Sequence, residues 1–115
     1  MGKIQKRDWS YLNLEGIGSK NKEWEIAKPK RQFIKFFKTH PEKTKYIPEL
    51  EADVTDNPFY HRTPDKIVKL EPQDYYPDDS YRWKKRDLRI VYLPLKKEKL
   101  ILPLDADTAG GIRYR

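Results

Sequence analysis

The apolar residues of this 115-residue chain change their spacing near its middle. After Pro29, the aromatic residues Phe33, Phe36 and Phe37 recur at three- and one-residue steps that place them on one side of a helix. Between residues 66 and 104, short segments alternate apolar and polar residues, as strands with one buried face do. The change from helical to strand spacing predicts an α+β fold, in which helices cover one face of a sheet.

The helical part of the chain follows a short strand. That strand is predicted over residues 23–27, where polar and apolar side chains alternate. The first helix is predicted to end at His40, because Pro41 disfavours helical backbone at the residue before it. A second helix is predicted from about Pro41 to Asn57, with Pro48 as an alternative first turn. Two helices in such close succession indicate a helical hairpin.

Further strand-like segments lie at residues 66–70, 81–84, 88–93 and 98–104. The short connection over residues 85–87 indicates an antiparallel hairpin. The predicted order is β-α-α-β-β-β, which gives a mainly antiparallel sheet of four strands. Five segments have strand-like patterns, so this order leaves one of them out of the sheet. The helical hairpin is expected to cover one face of the sheet and to leave the other face open to solvent or a ligand.

The length favours one domain. Residues 1–22 are predicted to form an N-terminal arm, because residues 16–22 have turn and linker composition, and residues 23–115 are predicted to form the domain. The chain contains no cysteine, which excludes disulfides and thiolate metal sites. It also contains no apolar run long enough to span a bilayer and no hydrophobic signal region near Met1. A cytoplasmic protein is therefore expected.

Basic residues exceed acidic residues, with 25 Lys and Arg against 18 Asp and Glu, so the formal net charge is +7. On so small a chain this excess favours an anionic partner: RNA, DNA, an acidic protein or a membrane surface. The alternative is a basic surface that only keeps the protein in solution.

The strands predicted over residues 81–93 carry a concentration of cations. Side chains alternate along a strand, so Arg82 and Lys84 point away from the helices if Trp83 points toward them. On the returning strand, Ile90 in the core places Arg89 on the same outer face. The pattern predicts that the three cations lie together on the uncovered face of the sheet.

Such a group of cations suits RNA. Guanidinium groups bind phosphate oxygens with paired hydrogen bonds, and each neutralised phosphate releases counterions. When a 2′-hydroxyl attacks the adjacent phosphorus, fixed cations stabilise the charge that grows on the phosphoryl oxygens without a metal. We therefore predict no metal and no cofactor. The alternative is a solvated strand face with ion pairs to Asp78 and Asp79.

These segments resemble the RelE/ParE superfamily of bacterial and archaeal toxins over roughly residues 24–114. The densest part of the resemblance is Tyr81-Arg82-Trp83-Lys84 followed by Asp87-Leu88-Arg89-Ile90-Val91-Tyr92. The family commonly has a Tyr-Arg-x-Arg/Lys strand, a turn, and an Arg-Val/Ile-x-Tyr strand. Weaker matches are the opening Trp24-Glu25-Ile26, the helical pair ending in Asn57-Pro58, and the strand Ile67-Val68-Lys69-Leu70.

The resemblance implies a RelE/ParE-like fold and a metal-independent mRNA interferase that acts on the ribosome. It implies a monomeric toxin subunit in a hetero-oligomer with an acidic antitoxin, and no membrane partner. Arg82 and Lys84 would be the substrate-binding cations, Arg89 the phosphate-stabilising arginine, and Tyr114 the terminal tyrosine. These four are the candidate catalytic residues. The candidate RNA-binding residues are Lys69, Lys85, Arg86, Arg113 and Arg115.

The chain departs from the family after the last strand, in one turn and in an amino-terminal arm that is longer than typical. Family nucleases usually have an arginine or histidine after the last strand, whereas residues 105–111 contain no cation. The turn before Asp87 also lacks the usual glycine. The first departure favours an alternative, a non-catalytic or gyrase-targeting relative that only binds nucleic acid or a protein partner. A third possibility is a nuclease domain of this fold that acts on another RNA, such as transfer RNA.

Four other polar residues have simpler interpretations. His40 is predicted to cap a helix or to be a partly buried aromatic residue, and His61 is predicted to be an exposed loop residue. Asp105 and Asp107 lack the further ligands that a divalent ion needs.

Overall fold

A computed structural model describes residues 23–110 of the chain. The predicted arm, residues 1–22, and the candidates Arg113, Tyr114 and Arg115 lie outside these residues. The described strands are β1 Glu25–Ile26, β2 Ile67–Lys69, β3 Tyr81–Lys85, β4 Leu88–Leu95 and β5 Leu100–Thr108. The helices are α1 Arg31–Thr39, a 3₁₀ helix Pro41–Tyr46 and α2 Ile47–Asp56. No helix in this part of the chain has both the length and the apolar character needed to cross a membrane.

The strands form one mixed sheet in the order β1-β5-β4-β3-β2. β1 pairs in parallel with β5, and the other neighbours are antiparallel. The prediction of an α+β fold is confirmed, but the prediction of four strands is wrong. All five strand-like segments pair in the sheet, including the short first segment, whose Ile26 lies beside Ile101.

The helices follow from the aromatic spacing and from the prolines. Phe33, Phe36 and Phe37 are buried on one side of α1, as predicted. The last helical hydrogen bond runs from the backbone N–H of His40 to the Phe36 carbonyl oxygen, at 2.9 Å, and the helix ends there because Pro41 disfavours helical backbone at His40. The predicted second helix is divided into the 3₁₀ helix and α2.

Pro48 lies in the first turn of α2, so the alternative start considered from the sequence is the start of the α-helix.

The main core lies between the helices and one face of the sheet, which we call the helix face. Trp83, Leu88, Ile90 and Tyr92 point into this core and are almost fully buried. Each large apolar side chain buried in this way contributes about 1.5–3 kcal/mol to folding. The face on which each of these strand residues lies is therefore as predicted.

The opposite side of the sheet, the far face, is covered in part. The loop over residues 71–80 packs Tyr76 against Val91, Leu70 and Leu104 in a second, smaller cluster. The expectation of a fully open far face is therefore wrong over this part. The loop folds back because Tyr76 has both an apolar ring to bury and a hydroxyl group, which donates a hydrogen bond to Asp105 Oδ2 at 2.6 Å.

Candidate nucleic-acid interface

Strands β3 and β4 bring three predicted cations together on the far face. Lys84 and Arg89 are direct cross-strand partners, and Arg82 lies two residues from Lys84 on the same face. In the next strand, β5, the partner of Arg89 is Asp107. The far face therefore carries a cross-strand row made of Lys84, Arg89 and Asp107, with Arg82 beside it.

One acidic residue neutralises two of these cations. Asp65 lies before β2 at a φ of 64°, a left-handed conformation that short polar residues tolerate better than most. Its carboxylate accepts a hydrogen bond from Lys84 Nζ at 2.5 Å and one from Arg82 Nη2 at 3.2 Å. The Asp65 carbonyl oxygen also accepts from Arg82 Nη2. The hydrogen bond from Lys84, and then that from Arg82, lowers the pKa of Asp65.

Arg82 is the least accessible member of the group. Only 8% of the residue is exposed, and its Nε–H has no hydrogen-bond partner among residues 23–110. Because the side of the guanidinium group that faces Asp65 is already occupied, a phosphate can bind Arg82 only if Asp65 is displaced. Arg82 therefore contributes charge to the far face more readily than it contributes paired hydrogen bonds.

Arg89 has a different environment. Its guanidinium group donates to the carbonyl oxygens of Arg86, at 2.6 Å, and Leu88, at 3.1 Å. It forms no ion pair with any carboxylate in the described residues, although Asp107 lies across from it. These neutral acceptors hold the side chain in place, while the carboxylate of Asp87, whose pKa is lowered by its hydrogen bond with Lys43 and also by the charge of Arg89, lies too far away for an ion pair with Arg89. Arg89 is thus the cation on the far face that is best prepared for a phosphate.

The other described candidates do not join this group. Lys69 and Lys85 are cross-strand partners of Tyr81 and Leu88, which places both on the helix face. Lys69 Nζ lies 3.0 Å from Asp79, whose hydrogen bond raises the pKa of the lysine. Its partner is one of the two acidic residues considered as ion-pair partners from the sequence.

Lys85 Nζ lies 3.1 Å from Glu49, a residue of α2. Arg86 is exposed in the turn between β3 and β4, with a φ of 54°. That left-handed backbone explains why a glycine would be usual there.

A second acid–cation cluster lies on the helix face and was not predicted. Asp53 accepts a hydrogen bond from Trp83 Nε1 at 2.9 Å and lies 3.3 Å from Lys66 Nζ. It also lies 3.4 Å from Nε2 of His61, which is in a loop, as predicted, but is only 20% exposed and so is not the exposed residue expected. Glu49, one helical turn before Asp53, contacts Lys66 and Lys85.

The four-residue spacing of Glu49 and Asp53 on α2 is a sequence signal for a shared acidic face. Burial alone would raise the pKa of Glu49, but the hydrogen bonds from Lys66 and Lys85 lower it. This cluster joins α2 to the sheet and is sheltered from a ligand on the far face.

The phenol group of Tyr92, in the Arg-x-x-Tyr segment that resembles the family, is also internal. It donates to the Pro58 carbonyl oxygen at 2.6 Å, and burial raises its pKa well above the usual value of 10.0. Tyr92 therefore holds the loop after α2 on the sheet and has no access to a ligand.

A cleft of about 660 Å³ opens beside the cation row, between α1, the 71–80 loop and the end of β5. His40 and Tyr75 lie at its walls, together with Asp105 and Asp107. His40 caps α1 and stacks on Phe36, as its predicted role requires. Within residues 23–110, no group of His, Asp and Glu side chains has an arrangement that could hold a metal ion.

No protein-family model and no curated protein matches this sequence. Among solved structures, it is similar to a chain in the crystal structure of the archaeal RelE–RelB complex from Pyrococcus horikoshii OT3. The TM-score is 0.60 with 24% sequence identity, over 78% of this chain and 99% of that chain. The fold is RelE-like. The RelE-like fold agrees with the one that the sequence resemblance implied, and the likeness concerns the fold alone.

Proposed function

We propose that this chain is the toxin subunit of a toxin–antitoxin pair and that its far face binds RNA. The observation that carries the proposal is Arg89, a cation that forms no ion pair among the described residues and lies directly opposite Lys84. The RelE-like fold and the net charge of +7 support the same function. A rigid pair of cations on neighbouring strands suits a phosphate group, which carries its charge over several oxygens.

The proposed activity is metal-independent cleavage of mRNA on the ribosome. The ribose 2′-oxygen attacks the adjacent phosphorus, the bond to the 5′-oxygen breaks, and a cyclic phosphate and a 5′-hydroxyl group result. Arg89 and Lys84 stabilise the negative charge that builds on the phosphoryl oxygens during this step. Tyr114 is proposed to handle a proton near the 2′-hydroxyl group, and Arg113 and Arg115 to contact the RNA backbone.

Asp65 is proposed to compete with the RNA. A carboxylate that holds Lys84 and Arg82 lowers their attraction for a phosphate until the phosphate replaces it. Because more than half of the Asp65 side chain is exposed, at 57%, the replacement costs little burial.

The proposed partner of the free toxin is an acidic antitoxin. The similar structure contains RelE in a complex with RelB, and the excess of basic residues in this chain suits an acidic partner. An adjacent reading frame that encodes a short acidic protein would identify it.

The test is growth of a bacterial host on induction, followed by primer extension on ribosome-engaged mRNA. The wild-type chain is expected to stop growth and to leave new mRNA ends. Arg89→Ala is expected to abolish both effects, because it removes the far-face cation that forms no ion pair among the described residues. Lys97→Ala, which changes an exposed lysine in the turn between β4 and β5, is the matched control and should retain both. Undiminished toxicity of Arg89→Ala would refute the role of Arg89.

A second candidate function is binding without cleavage, including binding to gyrase. Two observations favour it: Asp65 engages two of the three cations, and residues 105–111, where family nucleases have a cation, contain none. Growth arrest without new mRNA ends would support this candidate. A loss of gyrase supercoiling activity in the presence of the purified chain would then identify the target.

A further inference from the structure

The cleft beside the cation row has the position of a base-binding site. Its floor includes Asp107, the cross-strand partner of Arg89, and neighbouring strands lie about 4.8 Å apart. A phosphate on Arg89 is therefore within one nucleotide of the cleft. The opposite wall of the cleft is formed by α1. The start of this helix is fixed against β5 by the hydrogen bond from Lys30 N to the Pro103 carbonyl oxygen, at 2.9 Å.

The cleft offers carboxylate oxygens of two kinds. Both oxygens of Asp105 are engaged, Oδ2 by the Tyr76 hydroxyl group and Oδ1 by the backbone N–H of Ala106. Asp107 accepts only from the backbone N–H of Thr108, through Oδ1 at 2.7 Å, and it forms no ion pair in the described part of the chain. Asp107 therefore has the acceptor capacity to bind a ligand that carries N–H groups.

Aromatic rings and cations complete the cleft. Tyr75 is 64% exposed, which is unusual for so large a ring, and it lines the cleft from the 71–80 loop. His40 lines it from the end of α1, where its ring stacks on Phe36 with centroids 4.3 Å apart. Lys30 and Lys35 supply positive charge on the helical wall. Stacking surfaces, a free acceptor and nearby cations are what an unpaired nucleotide requires.

We propose that this cleft binds a guanine nucleotide of the RNA, with the guanine base stacked on Tyr75 and its N1–H and N2–H₂ groups donating to Asp107. The proposal rests on the proposed function, since it names the base that the RNA site selects. It makes Asp107 a specificity-determining residue and explains why an acidic side chain is compatible with an RNA-binding face.

Guanine fits because its pairing edge carries two adjacent N–H donors, which match Oδ2 of Asp107 and the lone pair of Oδ1 that the Thr108 N–H does not use. Adenine and cytosine each place one amino group beside a ring nitrogen that accepts, and that nitrogen would face the negative carboxylate. Uracil places its N–H between two carbonyl oxygens, which a carboxylate repels. A site whose acceptors are left unmatched discriminates strongly, so the order expected is guanine first and uracil last.

The test is a titration of the purified chain with GMP, AMP, CMP and UMP, in which binding is measured by the changes in the amide chemical shifts of the protein. GMP is expected to bind at least about fivefold more tightly than each of the others, with the largest shifts at Tyr75 and Asp107. Asp107→Asn keeps the shape but replaces one acceptor with a donor, and it should remove this preference. Asp78→Asn, which removes an equal charge from the exposed loop outside the cleft, should leave GMP affinity unchanged.

Three results would overturn the proposal: equal affinity for the four nucleotides, an unchanged GMP preference in Asp107→Asn, or no shift in the cleft residues. The experiments distinguish a failure of the guanine-binding proposal from a failure of the proposed nuclease activity. New mRNA ends without a GMP preference would leave the nuclease and remove the guanine site. A GMP preference without new mRNA ends would leave the site and remove the nuclease.

Discussion

Strand β3 has cations on both faces, and the two faces hold them in opposite ways. On the helix face, Lys85 lies 3.1 Å from Glu49 of α2, and Asp53, one turn later on α2, pairs with Lys66 before β2. On the far face, the acidic partner is Asp65, an exposed residue outside any helix or strand. Lys84 and Lys85 are about equally exposed, at 33% and 34%, so the two faces differ in their acids: Asp65 is 57% exposed, against 35% for Glu49 and 16% for Asp53.

The difference separates a structural role from a ligand-binding role. Removing one member of an ion pair that joins two packed elements costs more folding free energy, because the other charge is left without water or a partner. Ion pairs at an exposed turn contribute little to folding, because solvent screens them and phosphate oxygens can replace the carboxylate. The helix-face cluster should therefore respond to unfolding experiments, and the far-face cluster to RNA-binding experiments.

The largest effect is expected for Trp83→Ala. Trp83 is 0% exposed at the centre of the core and donates to Asp53, so its truncation leaves a cavity and removes a hydrogen bond to Asp53. The free energy of unfolding should fall by about 3–5 kcal/mol, as measured by urea denaturation. Lys84 is the next residue along β3 and lies on the far face, so Lys84→Ala should lower the free energy of unfolding by about 1 kcal/mol or less. Similar losses for the two variants would contradict the distinction between the faces.

A smaller loss is expected for Asp53→Ala. The side chain of Asp53 is 16% exposed, and its removal deprives Trp83 Nε1 and the Lys66 ammonium group of an acceptor. We expect the free energy of unfolding to fall by about 1–3 kcal/mol, with the same urea experiment as the measurement. Asp53→Asn retains one acceptor and should recover part of the loss. A wild-type unfolding curve for Asp53→Ala would show that the cluster does not join α2 to the sheet.

On the far face, Asp65→Asn is expected to change binding more than folding. The substitution frees Lys84 and Arg82 for phosphates, so affinity for single-stranded RNA should rise at low salt. The slope of log affinity against log salt should become steeper by about 0.7 for each cation that gains a phosphate. Fluorescence anisotropy at several salt concentrations measures both. Asp53→Asn is the control, and an equal change in its slope would remove the special role of Asp65.

The smallest effect is expected for the stability of the protein at acidic pH. The hydrogen bonds from Lys66 and Lys85 hold the pKa of Glu49 below its usual value of 4.5, in spite of the opposing effect of burial. A carboxyl group with a lowered pKa in the folded state contributes stability that is present above its unfolded pKa and lost as the pH falls through its folded pKa.

The free energy of unfolding should therefore decrease below about pH 4.5, by less than about 1 kcal/mol from Glu49 after solvent screening. Urea denaturation of the wild type and Glu49→Gln, at pH values on both sides of 4.5, tests this contribution. A pH dependence that is identical in the two proteins would show that Glu49 does not contribute.

Local spacing was sufficient to predict much of this molecule. The repeat of Phe33, Phe36 and Phe37 predicted α1 and its buried side, and alternation predicted that Arg82 and Lys84 share a face with Arg89. These predictions succeeded because helical and strand periodicity depend on neighbouring residues, and because burial of Trp83 leaves only one direction for the residues on each side of it.

The chain's own sequence thus determined its α+β class, the core side of each strand and the grouping of three cations. The path of the loops decided the rest: the pairing of the short β1 with β5, the engagement of Lys84 by Asp65, and the cleft between Tyr75 and Asp107. These contacts join residues that are distant along the chain, and no periodic pattern connects them. Which acid meets which cation depends on where the backbone turns, so the chemistry of the far face became visible only in three dimensions.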